Sequence, residues 1–170
     1  IELEPDAFGR ILDPFGGRED LEAGLLRTPR DPLQTFEDDP LRMLRGARFA
    51  AQLGFRIEEA AFAAMKTKAK RVRILSQERV IEELQKIMLS DQPSIGFKIL
   101  GQTGILDELF PELIALKGVE EIKGQRHKDN FYHTLQVVDN LVDSVASQPA
   151  EDTLWLRWAA LLHDIAKPRT

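Results

Sequence analysis

Asp39-Pro40-Leu41-Arg42-Met43-Leu44-Arg45-Gly46-Ala47-Arg48-Phe49-Ala50-Ala51-Gln52-Leu53-Gly54-Phe55 is the stretch on which the reading of the fold turns. Asp before Pro is a helix start signal: Asp caps, and Pro at the first helical position has no amide to leave unpaired. Leu41, Leu44, Ala51 and Phe55 follow at steps of three, seven and four, the spacing of one buried helical stripe. Gly54 marks the stop. Arg48 falls inside the apolar stripe, so it is expected to meet a buried carboxylate or carbonyl, and Phe49 beside it reads as structural.

Helical patterning continues downstream. A second helix is expected from about Glu58 to Lys70, acidic at its start and basic at its end, as the helix dipole prefers. Its end opens a basic cluster, Lys66, Lys68, Lys70, Arg71 and Arg73, which reads either as a solvated helix end or as a phosphate-contacting patch. Ser76 is placed to cap a third helix with Val80, Leu84, Ile87 and Met88 on its apolar face and an Arg79–Glu83 pair at i, i+4. Shorter helices are expected around Ser94–Leu100 and Thr103–Phe110, punctuated by Gly101, Gly104 and Pro111. Gly118 to Gly124 reads as a polar linker, and helices resume at about Asn130–Val145 and Leu154–Lys167.

Upstream the pattern changes. Gly9–Asp13 and Leu25–Thr28 look like short strands ended by Pro14 and Pro29. Between them Asp13-Pro14-Phe15-Gly16-Gly17-Arg18-Glu19-Asp20 is turn-rich, and Asp20–Ala23 is expected to form a helical turn closed by Gly24. Asp13 and Asp20 are expected to cap backbone amides of the turn rather than catalyse.

Composition bounds the rest. In 170 residues, 43% are hydrophobic and 30% charged, which suits a folded globular chain rather than a disordered one. Cys is absent, which excludes disulfides, thiolate zinc sites and thiol catalysis and fits a reducing cytoplasm. No apolar run reaches the length of a membrane helix. The net charge of −5 means that nucleic-acid contact must come from a local patch. A first residue Ile1 rather than Met and a last motif cut short at Thr170 suggest a piece of a longer protein.

Three stretches together resemble one family, the bacterial tRNA nucleotidyltransferases (CCA-adding enzymes) and the related poly(A) polymerases. Asp13-Pro14-Phe15-Gly16-Gly17-Arg18-Glu19-Asp20-Leu21 is similar to the family's third motif, which joins catalytic head to neck. Glu37 to Ala50 is similar to the fourth, which reads the incoming nucleotide. Glu78-Arg79-Val80-Ile81-Glu82-Glu83-Leu84 is similar to the fifth, a helix that braces the fourth. The resemblance implies nucleotide binding by Asp39, Arg42 and Arg45. It also implies transfer of CMP and AMP from CTP and ATP to tRNA 3′ ends, with Mg²⁺ held by an Asp-x-Asp pair in the head. No such pair occurs in this chain: Asp38-Asp39 and Glu82-Glu83 have the wrong spacing.

The residues support a physical reading of the fourth motif. Asp39 and Arg42, three apart at a helix start, share a face. A carboxylate accepts from the exocyclic amino group of cytosine or adenine, and a guanidinium donates to a ring nitrogen or carbonyl. Uracil and guanine present the opposite pattern, leaving a buried group unpaired at roughly 1–3 kcal/mol. Arg45 lies a turn on, placed to meet a triphosphate. The alternative is an N-cap with a weak surface ion pair.

Farther along, His127 to Leu135 and Leu161-Leu162-His163-Asp164-Ile165-Ala166-Lys167 resemble the opening of the HD superfamily of metal-dependent phosphohydrolases. His133, His163 and Asp164 would be metal ligands, Lys167 could meet a phosphate, and a fourth ligand is lacking. His127 reads as a polar surface residue.

The expectation is therefore a mainly α chain in three parts. Residues 1–35 would be a β-containing remnant of the head, 36–117 a helical nucleotide- and RNA-binding neck and body, and 118–170 the start of an HD domain. It would be part of a cytoplasmic enzyme acting on tRNA, CTP and ATP, with no membrane association and a second divalent metal if the HD domain is complete. Rival readings are an HD-type phosphohydrolase, a poly(A) polymerase of the same family, and a non-catalytic RNA-binding module.

Overall fold

A computed structural model describes residues 13–118, 121–122, 125–126, 129–145 and 148–166, with only the backbone of 121–122 and 125–126. The described residues form ten α-helices, one 3₁₀ helix and two small two-stranded sheets, so the chain is mainly α. The expected strand at Gly9–Asp13 lies outside the described residues apart from Asp13, as do His127 and Lys167.

The N-terminal part is tied to the end of the long central helix. Helix α1 (Gly17–Glu22) leads into β1 (Leu25–Leu26), which pairs in parallel with β2 (Arg56–Ile57). Asp13 caps α1 as expected: its carboxylate accepts from the amides of Gly17 (2.7 Å) and Arg18 (2.8 Å). Those backbone bonds, Arg18 first, hold its carboxyl below the usual aspartate range. Asp20 pairs with Arg27 Nε at 2.6 Å.

Helix α2 (Pro32–Asp38) was not expected, although Asp31-Pro32 carries the same signal as Asp39-Pro40. Asp31 Oδ2 accepts from the Gln34 amide at 2.8 Å, an ordinary N-cap. Helix α3 (Leu41–Leu53) follows directly, with Leu41, Leu44 and Ala51 buried as the stripe required and Gly54 ending it in the left-handed region at φ 68°. Phe55 lies past that end and is half-buried.

Helix α4 (Glu59–Lys68) is shorter than expected, because the chain tightens into a 3₁₀ helix at Ala69–Ile74. Helix α5 (Gln77–Met88) begins after Ser76, but the Ser76 hydroxyl makes no backbone cap. Helix α6 (Pro93–Gln102), α7 (Ile105–Leu109) and α8 (Pro111–Ile114) come next, so Pro111 opens a helix rather than merely ending one. The expected linker at 118–124 contains a strand: β3 (Glu121–Ile122) pairs antiparallel with β4 (Gln125–Arg126). Helices α9 (Asn130–Ser144) and α10 (Ala150–Leu162) complete the order.

Helices α5 and α6 pack on α3, and the α9–α10 hairpin packs on α5 and α6. The buried cluster is continuous from Met43 and Leu44 through Ile87, Phe97 and Leu116 to Phe131, Leu135, Val138 and Leu161. One core therefore runs across residue 118. Gly96 makes the close approach possible: a Cβ there would stand 2.6 Å from Ile87 Cγ2 and 3.3 Å from the Ala47 carbonyl. Among the described residues no helix is long and apolar enough to cross a membrane.

Candidate nucleotide-reading face

The exposed side of α3 carries Arg42, Arg45, Phe49 and Gln52, which share a face at helical spacing. Asp39 stands before it in extended backbone, φ −141° and ψ 92°. Its side chain does two things at once. Oδ1 accepts from the Leu41 amide at 3.2 Å, and Oδ2 lies 3.5 Å from Arg42 Nε. The capping and pairing readings thus both describe the free protein. The pair is solvent-facing, with side chains 32% and 53% exposed, so by itself it adds under about 1 kcal/mol. An ion pair this loose leaves both partners able to turn toward a ligand.

Arg45 and Arg48 are held differently. Glu83, on α5 and only 3% exposed, places Oε1 3.6 Å from Arg45 Nε and Oε2 3.2 Å from Arg48 Nε. The Arg48–Glu83 approach is ionic, without hydrogen-bond alignment, since both atoms count as buried and unbonded. Arg48 also stacks its guanidinium 4.2 Å over the Phe49 ring. The buried carboxylate expected for Arg48 is therefore Glu83. The expected Arg79–Glu83 pair does not form, because Glu83 faces α3, while Lys86 pairs with Glu82 at 2.6 Å. Glu83 is the residue of this candidate face that sequence reasoning did not place there. Its one signal was an arginine inside an apolar stripe, which demanded an acid from another element.

The basic cluster is partly consumed within the fold. Lys68 Nζ donates to Glu37 Oε2 at 2.7 Å, and Arg71 reaches both the carboxylate and the carbonyl of Glu37. The Lys68 hydrogen bond, helped by the charge of Arg71, holds the Glu37 carboxyl below its ordinary range. Arg73 pairs with Glu108. Lys66 and Lys70 remain on the exposed surface, Lys66 5.0 Å over the Phe62 ring.

His133 is exposed on α9. His163 caps the end of α10, its Nδ1 2.7 Å from the Ala160 carbonyl and its Nε2 3.1 Å from Asp164 Oδ2. Among the described residues no three His, Asp or Glu side chains converge as a metal cluster, so the structure brings His163 and Asp164 together but does not add His133 to them. No step through a metal follows. A cavity of about 1320 Å³ lies elsewhere, between α5, α7 and α10, with walls such as Leu84, Phe110 and Trp158. Its one lining arginine, Arg73, is tied to Glu108, whereas the α3 face presents Arg42 and Arg45 beside Asp39, which makes that face the better candidate on chemistry.

Residues 54–117 match the family described as "Probable RNA and SrmB-binding site of polymerase A", and 130–170 match the HD domain. The multifunctional CCA protein of Haemophilus influenzae is 39% identical over 168 residues, 95% of this chain and 40% of that protein. By sequence the chain is related to the tRNA nucleotidyltransferase and poly(A) polymerase family. The multifunctional CCA protein of Actinobacillus pleuropneumoniae is 41% identical over 175 residues, covering 99% of this chain and 41% of that protein. The chain thus spans about two-fifths of the length of these relatives. Among solved structures, a CCA-adding enzyme in complex with CTP superposes with a TM-score of 0.60 at 30% identity, covering 97% of this chain and 42% of that one. A tRNA nucleotidyltransferase complexed with a primer tRNA and an incoming ATP analogue shares the fold, with a TM-score of 0.69 at 24% identity and coverage of 94% and 44%.

Proposed function

We propose that this chain supplies the nucleotide-selecting and RNA-contacting part of a tRNA nucleotidyltransferase that adds CMP and AMP from CTP and ATP to tRNA 3′ ends. The observation that carries the reading is the α3 face, where Asp39 and Arg42 stand together at the helix start and Arg45 is braced from behind by Glu83. Asp39 accepts from the exocyclic amine of cytosine or adenine, Arg42 donates to the ring, and Arg45 meets the triphosphate. Wrong bases leave a donor or acceptor unmatched, which is how a protein rejects them without a template.

In this reading residues 1–35 end the catalytic head, 36–117 form the nucleotide- and RNA-binding body, and 118–170 begin the HD domain. Lys66 and Lys70 contact RNA phosphate, while Lys68, Arg71 and Arg73 contribute field rather than direct contacts. The head would hold divalent metal, Mg²⁺ being the natural ion for a nucleoside triphosphate, to activate the 3′-hydroxyl and stabilise the departing pyrophosphate. The protein works in the cytoplasm, a placement that the absence of cysteine supports.

A chimera tests this. Residues 13–166 replace the matching segment of the Haemophilus influenzae relative, and labelled CTP and ATP are supplied with tRNA lacking its CCA end. Addition of C and A, abolished by Arg45→Ala, is the expected result. A well-folded chimera that extends no RNA, or hydrolyses phosphate esters instead, overturns the reading.

A further inference from the structure

The α9–α10 hairpin grips the corner between α5 and α6 with two charges of opposite sign. Arg157 on α10 is 5% exposed, and its Nη1 donates to the carbonyls of Met88 (2.7 Å) and Ser90 (2.9 Å). The Met88 carbonyl is the last of α5, where backbone acceptors lack helical partners and the dipole end is negative, and that of Ser90 follows two residues on. Asp139 on α9 does the converse. Its Oδ1 accepts from the Ser94 amide at 3.0 Å, at the positive N-terminus of α6. Trp158 on α10 adds an edge-on contact to Phe97 of α6, centroids 6.5 Å apart.

Both gripped helices lead directly to α3. Glu83 lies five residues before Met88, about 7.5 Å along a stiff helix, and it is the counter-charge of Arg45 and Arg48. Gly96 lies two residues after Ser94, and it is where α6 touches the Ala47 carbonyl of α3 and Ile87 of α5. A close-packed junction of this kind passes on displacement rather than absorbing it. We infer that Arg157 and Asp139, both in the segment matching the HD domain, are positioning residues for the arginines of the nucleotide-reading face, acting through α5, α6 and Glu83. The HD-matching segment and the nucleotide face would then be mechanically one unit. The consequence for nucleotide binding rests on the role given to Arg45 above.

The test uses the 170-residue chain labelled at arginine, with the Nε–H resonances of Arg45 and Arg48 followed by NMR and CTP binding by titration. Arg157→Met keeps the aliphatic length and removes the donors. It is expected to move the Arg48 resonance and to weaken CTP binding about five-fold or more, the low end of ordinary coupling between sites. Arg157→Lys, which retains a cation and donors, recovers part of both. Leu161→Ala, a core truncation one turn away, lowers the melting temperature but leaves the Arg48 resonance in place. An unmoved Arg48 resonance in folded Arg157→Met, or an equal shift in Leu161→Ala, overturns the proposal. If Arg157→Met does not fold, Asp139→Ala, which removes the acceptor of the Ser94 amide, decides by the same resonance: a shift supports the clamp, and none overturns it. Should Arg45→Ala leave CTP binding unchanged, the nucleotide reading fails while the Arg48 resonance still judges the clamp.

Discussion

The carboxylate of Glu83 on α5 stands 3.2 Å from Arg48 Nε on α3, with the acid side chain 4% and the arginine 14% exposed. A charge pair this buried is stable only as a pair, because each partner has given up its water. Removing the acid leaves Arg48 uncompensated and frees Arg45 from its brace. Glu83→Ala should cost about 3 kcal/mol in a denaturant titration. Glu83→Gln, which keeps hydrogen-bonding capacity, should cost less. Equal stability of Glu83→Ala and the parent chain would remove the brace from the account.

Gly96 sits where three helices meet. Gly96→Ala puts a methyl group 2.6 Å from Ile87 Cγ2, so α6 or Ile87 must shift. Over-packing of this kind costs about 1–3 kcal/mol, more than the helix propensity that alanine gains. The double variant Gly96→Ala/Ile87→Ala should be less destabilised than the sum of the two single changes, because the neighbour that clashes is gone. Thermal melts of the four proteins check this, and strict additivity would contradict it.

Glu37 gives an acid dependence with a definite sign. Its folded pKa is depressed by Lys68 first and Arg71 second, from an ordinary 4.5. The stability it contributes is present above that ordinary value and is lost as pH falls through the lowered folded value. Glu37→Gln should therefore flatten part of the loss of stability below about pH 4.5, with little change in that slope at neutral pH. Melting temperatures from pH 3 to 7, with and without the substitution, decide it. Identical acid slopes would show that the Lys68 pair is not formed in solution.

The long helices were legible because their signals are local. For α3, Asp-Pro, the apolar stripe and Gly54 all lie within the helix or at its ends, and the buried partner of Arg48 was foreseeable as a type, though not as a residue. Helix α2 carries the same Asp-Pro start, but its seven residues bury only Thr35 and Phe36, too few to show a period. The i, i+4 rule paired Glu83 with Arg79, whereas tertiary packing turned it toward α3. The basic cluster read as one patch, yet Glu37 and Glu108, 31 and 35 residues away, take up part of it. Contacts at that separation leave no periodic trace. His163 and Asp164 are adjacent in sequence, but nothing in the dipeptide says whether a third ligand comes to meet them.

The central claim is that Asp39 and Arg42 read the base, and Asp39→Asn tests it most directly because asparagine caps a helix as well as aspartate does. CTP, ATP, UTP and GTP are titrated against the parent chain and the variant, with the Arg42 and Arg45 Nε–H resonances as reporters and a melting curve alongside. The account predicts that CTP and ATP move both resonances in the parent chain more strongly than UTP and GTP do. In Asp39→Asn that preference should shrink about ten-fold or more, equivalent to about 1.4 kcal/mol, with the melt unchanged. A preference for C and A that survives intact in well-folded Asp39→Asn would contradict the account and leave Asp39 as a helix cap.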